Sequence, residues 1–304
     1  MQKGRLSIPG IGQFVVVLSF AAALLCIPTP GFAAGITLGS ALASFAVLGA
    51  DGSSGGVTNV ATSTIGGNLG SAPNPGVGGG YVFTSGSLQP NTSLAQDAQL
   101  QLDQAIFDVN ALAHTGSHLP ELTGTYAPGV YDGGDGLLSG ALVLDGGGSN
   151  NAVWAFRFTS TLTTAATGSS VSVVNVGDGA NVGIYWNVAS AATLNGPTFA
   201  GNVLAHDLIS SDGDLTITCG RLLSATTQVT LIHDNISIGC GTGTVTGIVS
   251  SGANVGSSGG FGQGVALRSG AETAVPEPAT LTLLGAGLVG IARWKRRRIA
   301  SGRA

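Results

Sequence analysis

Charge is what this chain of 304 residues has least of. Asp, Glu, Lys and Arg together make 9% of it, against about a quarter in ordinary soluble domains. Cysteine (three), methionine (one) and aromatic residues (6%) are also scarce. Low charge combined with 43% apolar residues is the reverse of a disordered composition. Bases are rarer still in the body: from residue 35 to 274 there are only Arg157, Arg221 and Arg268, against fourteen carboxylates. An acidic body without a basic patch argues against nucleic acid as a partner. Glycine is plentiful, 51 residues, but without the Gly-X-Y period of collagen. Strong helix formers are few while Thr, Val, Gly and Asn abound, so the body is mostly β.

Three segments between Phe158 and Cys240 read alike: Gly183-Ile184-Tyr185-Trp186-Asn187, Gly201-Asn202-Val203-Leu204-Ala205 and Gly220-Arg221-Leu222-Leu223-Ser224. Short runs such as Asp214-Leu215-Thr216-Ile217 and Gln228-Val229-Thr230-Leu231-Ile232 separate them. Strands of four to six residues with Gly, Asn and Asp corners, repeating near twenty residues, predict a stacked β-solenoid. One coil cannot bury its own apolar side chains, whereas a stack makes a continuous narrow core.

One stretch breaks the β pattern. Leu94, Ala98, Leu102, Ala105, Ile106, Val109 and Leu112 recur at three- and four-residue steps, while Asp97, Gln99, Asp103 and Asp108 take the other face. This predicts a helix over about 92–113, capped by Asn91, Thr92 or Ser93, stopped by Gly116 and lying along a flank of the β body.

Both ends are targeting segments. Lys3 and Arg5, the apolar run Phe14–Ile27 and the small residues Gly31, Ala33 and Ala34 form a signal peptide over residues 1–34. At the other end Val275-Pro276-Glu277-Pro278 precedes a short apolar span, Ala279–Ala292, and a cluster of Arg293, Lys295, Arg296, Arg297 and Arg298. The span is marginal for crossing a bilayer, which takes some twenty apolar residues. This ending resembles the PEP-CTERM sorting tail of Gram-negative bacteria. The resemblance implies transient anchoring in the inner membrane, cutting by an exosortase near Pro276, Glu277 and Pro278, and release to the cell surface or extracellular matrix. The tail then occupies 275–304, after a Gly/Ser linker over 251–274.

The body, 35–250, resembles the ice-binding-like family of antifreeze β-solenoids. The residues that carry the likeness run in order: Leu38-Gly39-Ser40, Phe45–Ala50, Gly67–Ser71, the mid-chain helix, Pro128–Tyr131, Ser160–Thr164, Trp186-Asn187-Val188, Phe199–Ala205 and Cys219-Gly220-Arg221. The resemblance implies an all-β solenoid, an irregular three-faced β-helix with one long flanking α-helix. In ice-binding members one flat face carries Thr-Ala/Gly-x-Thr/Asn ladders. Thr164-Ala165-Ala166-Thr167 matches that motif, and Asn195, Thr198 and Thr226 stand at neighbouring corners, so Thr164, Thr167, Asn195, Thr198 and Thr226 are the expected ice-binding residues. Methyl groups make such a ladder hydrophobic and hydroxyls anchor ordered water. Asp212 and Asp214 put charge where the pattern wants Thr or Asn, and charged groups hold their own hydration.

Other constellations are weaker. Cys219 and Cys240 remain after signal cleavage, and an isolated pair in an exported chain is expected to form a disulfide. His114 and His118 have a zinc-like spacing but no second pair of ligands. Asp132, Asp135, Asp145, Asp212 and Asp214 suit turns as well as calcium. The two Gly-x-Ser-x-Gly matches, at 52–56 and 256–260, lack the strand and helix a nucleophile elbow requires. The expectation is a protein that is not an enzyme, needs no cofactor or metal, and partners ice or ordered water. On the same scaffold, a matrix or adhesive protein binding extracellular polysaccharide is the alternative.

Overall fold

Alternation of inward and outward side chains builds three recurring strips of parallel strand. The computed structural model describes residues 36, 38–51, 55–116, 119, 121–176 and 182–239. Along the chain the strips recur in one order. A first strip is followed by a second that lies under the helix, then by a third of three-residue strands. The third is a six-stranded sheet made by Val57–Asn59, Val229–Leu231, Ile209–Ser211, Ala192–Leu194, Leu162–Thr164 and Gly136–Leu138. The second runs through Gly129–Gly133, Val153–Phe158, Gly183–Val188, the later halves of Thr198–Ala205 and Thr216–Ser224, then Phe45–Gly49, Asn68–Ser71 and Leu88–Pro90. The first begins with Gly124–Tyr126, Ala141–Asp145 and Ser170–Val174 and continues through the opening halves of Thr198–Ala205 and Thr216–Ser224, then Asn235–Ser237, Ser63–Gly66 and Tyr81–Ser85. Every pairing between these strands is parallel. The β-solenoid with one long helix is thus the observed fold.

The stack does not follow the chain. The strand Asn235–Ser237 pairs on one side with Thr216–Thr218 and on the other with Ser63–Gly66. The N-terminal coils therefore continue the stack beyond the last described coil. Coil length also varies, since Tyr131, Phe156, Trp186 and Val203 are successive Cα partners. The glycine repeat needs a correction as well. Asn202 stands opposite Tyr185, so Gly201 is one residue out of step with Gly183. Gly201 instead sits where its strand bends from one face to the next, at φ +98°, and a Cβ there would lie 2.6 Å from Ile184 Cγ2.

Inside the coils, apolar files stack. Tyr131, Phe156, Trp186 and Phe199 form a column with ring centroids 5.4, 4.4 and 5.0 Å apart. The Trp186 indole N–H donates to the Ala200 carbonyl at 2.9 Å, so the column leaves that donor satisfied. Arg221 is fully buried. It donates to Asn202 Oδ1 at 2.8 Å and to the Ala43 carbonyl at 2.7 Å, and burial lowers its pKa to about 10.

The helix spans Ser93–Ala111, and Thr92 caps it by accepting from the Ala95 N–H at 3.3 Å. Ala95, Ala98, Leu102, Ala105 and Val109 are buried against Phe45, Leu48, Ala155, Tyr185, Leu204 and Leu223 of the second strip. Burying one such Leu or Val is worth about 1.5–3 kcal/mol. The helix stops before Gly116 because Arg157 supplies a cap from the sheet, its Nη1 donating to the carbonyls of Asn110 (3.0 Å) and Leu112 (2.8 Å). Gln99, expected on the outer face, reaches inward and donates to the Gly49 carbonyl at 2.7 Å. Leu100 and Phe107 are the exposed apolar residues of this helix.

Cys219 is buried, whereas Cys240, Cys26, His118, the linker, the signal segment and the sorting tail lie outside the described residues. Among the described residues, no helix is long and apolar enough to cross a membrane.

Candidate functional site

Two strips remain free of the helix. On the first, alternation sends Phe199, Ile217, Ile236 and Ile65 inward as one buried file. The residues before them point outward, so Thr198, Thr216, Asn235 and Thr64 form an in-register file across four coils. Val82, half exposed, continues it at the open edge. The residues after the buried file give a second row, in which Thr218 and Ser237 stand between Ala200 and Gly66. Adjacent coils are about 4.8 Å apart, and the two rows are two residues apart along the strand, about 6.7 Å. The result is a two-dimensional array of small uncharged polar groups on a rigid β surface.

On the third strip the middle residue of each three-residue strand points out. Thr163, Thr193, Ser210, Thr230 and Thr58 make a single file, which ends in Leu137, 44% exposed. Thr58 Oγ1 donates to Thr230 Oγ1 at 3.2 Å. This file has the longer run of hydroxyls but only one row.

The sequence-expected residues do not converge on one surface. Thr164 is a correction: it is 2% exposed, and its Oγ1 accepts from the Asn195 N–H at 2.8 Å and the Gly196 N–H at 3.1 Å. Its strand is only three residues long, so the side chain two positions after the inward Leu162 also points in. Thr167 is exposed in the turn after that strand. Asn195 is half-buried in a corner, held there through its own backbone N–H. Thr226 is exposed at the opposite corner, where its hydroxyl donates to the His206 carbonyl at 2.6 Å. Thr198 alone stands in the two-row array. The signal that locates the rest was present in Thr216-Ile217-Thr218, Asn235-Ile236-Ser237 and Thr64-Ile65-Gly66, where polar residues flank one apolar residue.

Charge stays at the margins of the array. Asp212 and Asp214 are exposed in the corner between the third and first strips, and Asp214 Oδ1 lies 2.6 Å from His233 Nδ1. His206 Nδ1 similarly meets Asp207 Oδ1 at 2.9 Å, an interaction that lowers the Asp207 pKa. Asp234 lies beneath the array. It accepts from Ser211 Oγ at 2.6 Å and from the Leu215 and Ile232 N–H groups, while burial raises its pKa. Among the described residues, no group of three or more His, Cys, Asp or Glu residues could hold a metal ion.

The sequence and the fold have known counterparts. Residues 52–237 match the ice-binding-like family and residues 274–298 the PEP-CTERM protein-sorting motif. The chain is 31% identical to an ice-binding protein of Nostoc sp. (strain HG1), over 95% of this chain and 97% of that one. Its fold is similar to the crystal structure of an ice-binding protein from the Antarctic ascomycete Antarctomyces psychrotrophicus, with TM-score 0.57 and 29% identity, covering 67% of this chain and 98% of the other. A second solved structure, from an Antarctic Flavobacteriaceae bacterium, gives TM-score 0.58 and 28% identity, covering 69% and 48%. A β-solenoid with one flanking helix, two uncharged polar faces and a sorting motif at its end therefore has a place: the chain belongs to the ice-binding-like family, which is not enzymatic, and carries the PEP-CTERM motif of exosortase-mediated export to the cell surface.

Proposed function

We propose that this protein adsorbs to ice and inhibits its recrystallisation through the two-row array on the first strip. The observation that carries this reading is the register Thr198–Thr216–Asn235–Thr64, with Thr218–Ser237 alongside. Docking to a crystal plane rewards a lattice in two directions, and among the described residues only this face supplies two rows. Its groups are uncharged, so they give up their hydration at lower cost than carboxylates. The methyl groups of threonine favour ordered water over their surface while the hydroxyls bond to it.

Thr216→Lys tests the face. It is an outward substitution, so the melting temperature should hardly move while ice shaping and recrystallisation inhibition are lost. Thr193→Lys, on the single file, should leave both intact. The reverse pattern would move the ice site to the third strip. Loss of neither would sink the ice reading of the two-row array.

Export completes the proposal. Residues 1–34 act as a cleaved signal peptide, the tail is held briefly in the inner membrane, and an exosortase cuts near Pro276-Glu277-Pro278. Mass spectrometry of the extracellular protein should find a C-terminus there, and an intact Arg303 would contradict it. Cys219 and Cys240 form a disulfide in the oxidising exterior, closing a loop of about twenty residues worth ~3 kcal/mol. Non-reducing peptide mapping should recover the two joined.

A further inference from the structure

The helix-covered strip holds a feature that ice adsorption does not use. Where the helix ends, a cleft of about 610 Å³ opens between it and the sheet. This lies in the range of small-molecule sites, which are mostly apolar with a few placed polar groups. Ile106 and Asn110 come from the helix, and Gly133, Phe158 and Val188 from three successive coils. Arg157 and Asp132 also line it, but they neutralise each other in a two-pronged pair at 2.6 and 2.9 Å. The third guanidinium nitrogen is spent on helix carbonyls. His206 lines the cleft as well, with its Nδ1 2.9 Å from Asp207 Oδ1, so the charged groups here are paired with one another rather than aimed at an ion. Asn187 Nδ2 donates to Asn110 Oδ1 at 2.6 Å, and both residues line the cleft, so the pair brings it an amide oxygen to accept and an amide nitrogen to donate.

We propose that this cleft binds a neutral saccharide. Adjacent ring hydroxyls, one donating and one accepting, match the amide pair, and the C–H faces of the ring match Ile106 and the exposed methyl of Ala189. The cleft is on a different strip from the two-row array, so sugar and ice could be held at once. A protein sorted to the cell surface would then tether neutral polysaccharide to ice. This reading does not depend on which face meets ice.

The test uses the mature exported protein and three probes: cellobiose, maltose and N,N′-diacetylchitobiose, titrated by NMR chemical-shift mapping. Saturable shifts confined to the helix end and to residues 132–134 and 187–189 are expected with at least one probe. Gly134 lines the cleft mouth, and a Cβ there meets nothing within 4 Å. Gly134→Phe should therefore obstruct the cleft without strain, weakening binding roughly tenfold or more while ice shaping stays intact. Asn110→Ala, on the exposed side of the helix end, is the second variant should Gly134→Phe fold poorly, and it too should weaken binding. Absence of saturable shifts with all three probes would overturn the proposal. So would binding that survives the cleft variants unchanged.

Discussion

Arg157 holds both carboxylate oxygens of Asp132, Nε to Oδ1 at 2.6 Å and Nη2 to Oδ2 at 2.9 Å, while its remaining nitrogen caps the helix. One side chain thus fastens helix to sheet. Such charge-assisted, two-pronged bonds are the strong ones. Arg157→Met should leave a half-buried carboxylate and open helix carbonyls, costing about 2–3 kcal/mol. Arg157→Lys should recover little of it, lacking the planar fork. Chemical denaturation of the two variants checks both statements, and a near-wild-type Arg157→Lys would contradict the second.

Acid should loosen the same junction. The Arg157 hydrogen bond, with the charges of Arg157 and His114, holds the Asp132 carboxyl below its ordinary 3.8. A carboxylate so depressed binds fewer protons folded than unfolded. Its contribution is complete above about pH 4 and is lost as the pH falls through the lowered value. Asp132→Asn should therefore lose less melting temperature than the wild type on going below pH 4. Equal acid slopes would remove Asp132 from the account.

Thr164 should behave as a structural residue. Thr164→Val keeps the shape but removes the acceptor for the Asn195 and Gly196 N–H groups. The expected cost is about 1–3 kcal/mol, with ice shaping per folded molecule unchanged. Loss of ice shaping without loss of stability would return Thr164 to the surface.

Gly201→Ala should be costly in a way its exposed relatives are not. The left-handed φ and the approach of Ile184 act together, for about 2 kcal/mol or more. Gly134→Ala, which meets nothing, should stay within about 0.5 kcal/mol. Thermal melts of the pair give the contrast directly.

Much of the fold could be read from the residues, because its causes are local. The helix over 92–113 was legible from its spacing and shifted only at the end, where a distant arginine supplies the cap. The stacked strands followed from short apolar runs and their corners, and the three faces from the resemblance to the ice-binding-like family. The face that each threonine occupies was not legible in the same way. That depends on register between coils, and coils of unequal length let Thr164 point inward while Thr163 points out. Nor does anything local announce that Thr64 will stand beside Asn235, since their pairing joins the two ends of the body. The cleft at the helix end was equally out of view, being built from residues that meet only when three coils stack.

The strand Asn235–Ser237 lies between Thr216–Thr218 and Ser63–Gly66, and this sets an order of events. The early-made coils stack on one another, Phe45–Gly49 on Asn68–Ser71 and Ser63–Gly66 on Tyr81–Ser85. They join the later coils only when the chain closes a loop spanning nearly the whole described body. Such long-range pairing is slow to form. Until that strand inserts, the array proposed to meet ice is two half-surfaces with a gap between Thr216 and Thr64. A partly exported chain would therefore be inert toward ice. On that proposal, competence would arrive in one step, with the insertion of Asn235–Ser237, outside the compartment where the protein is made.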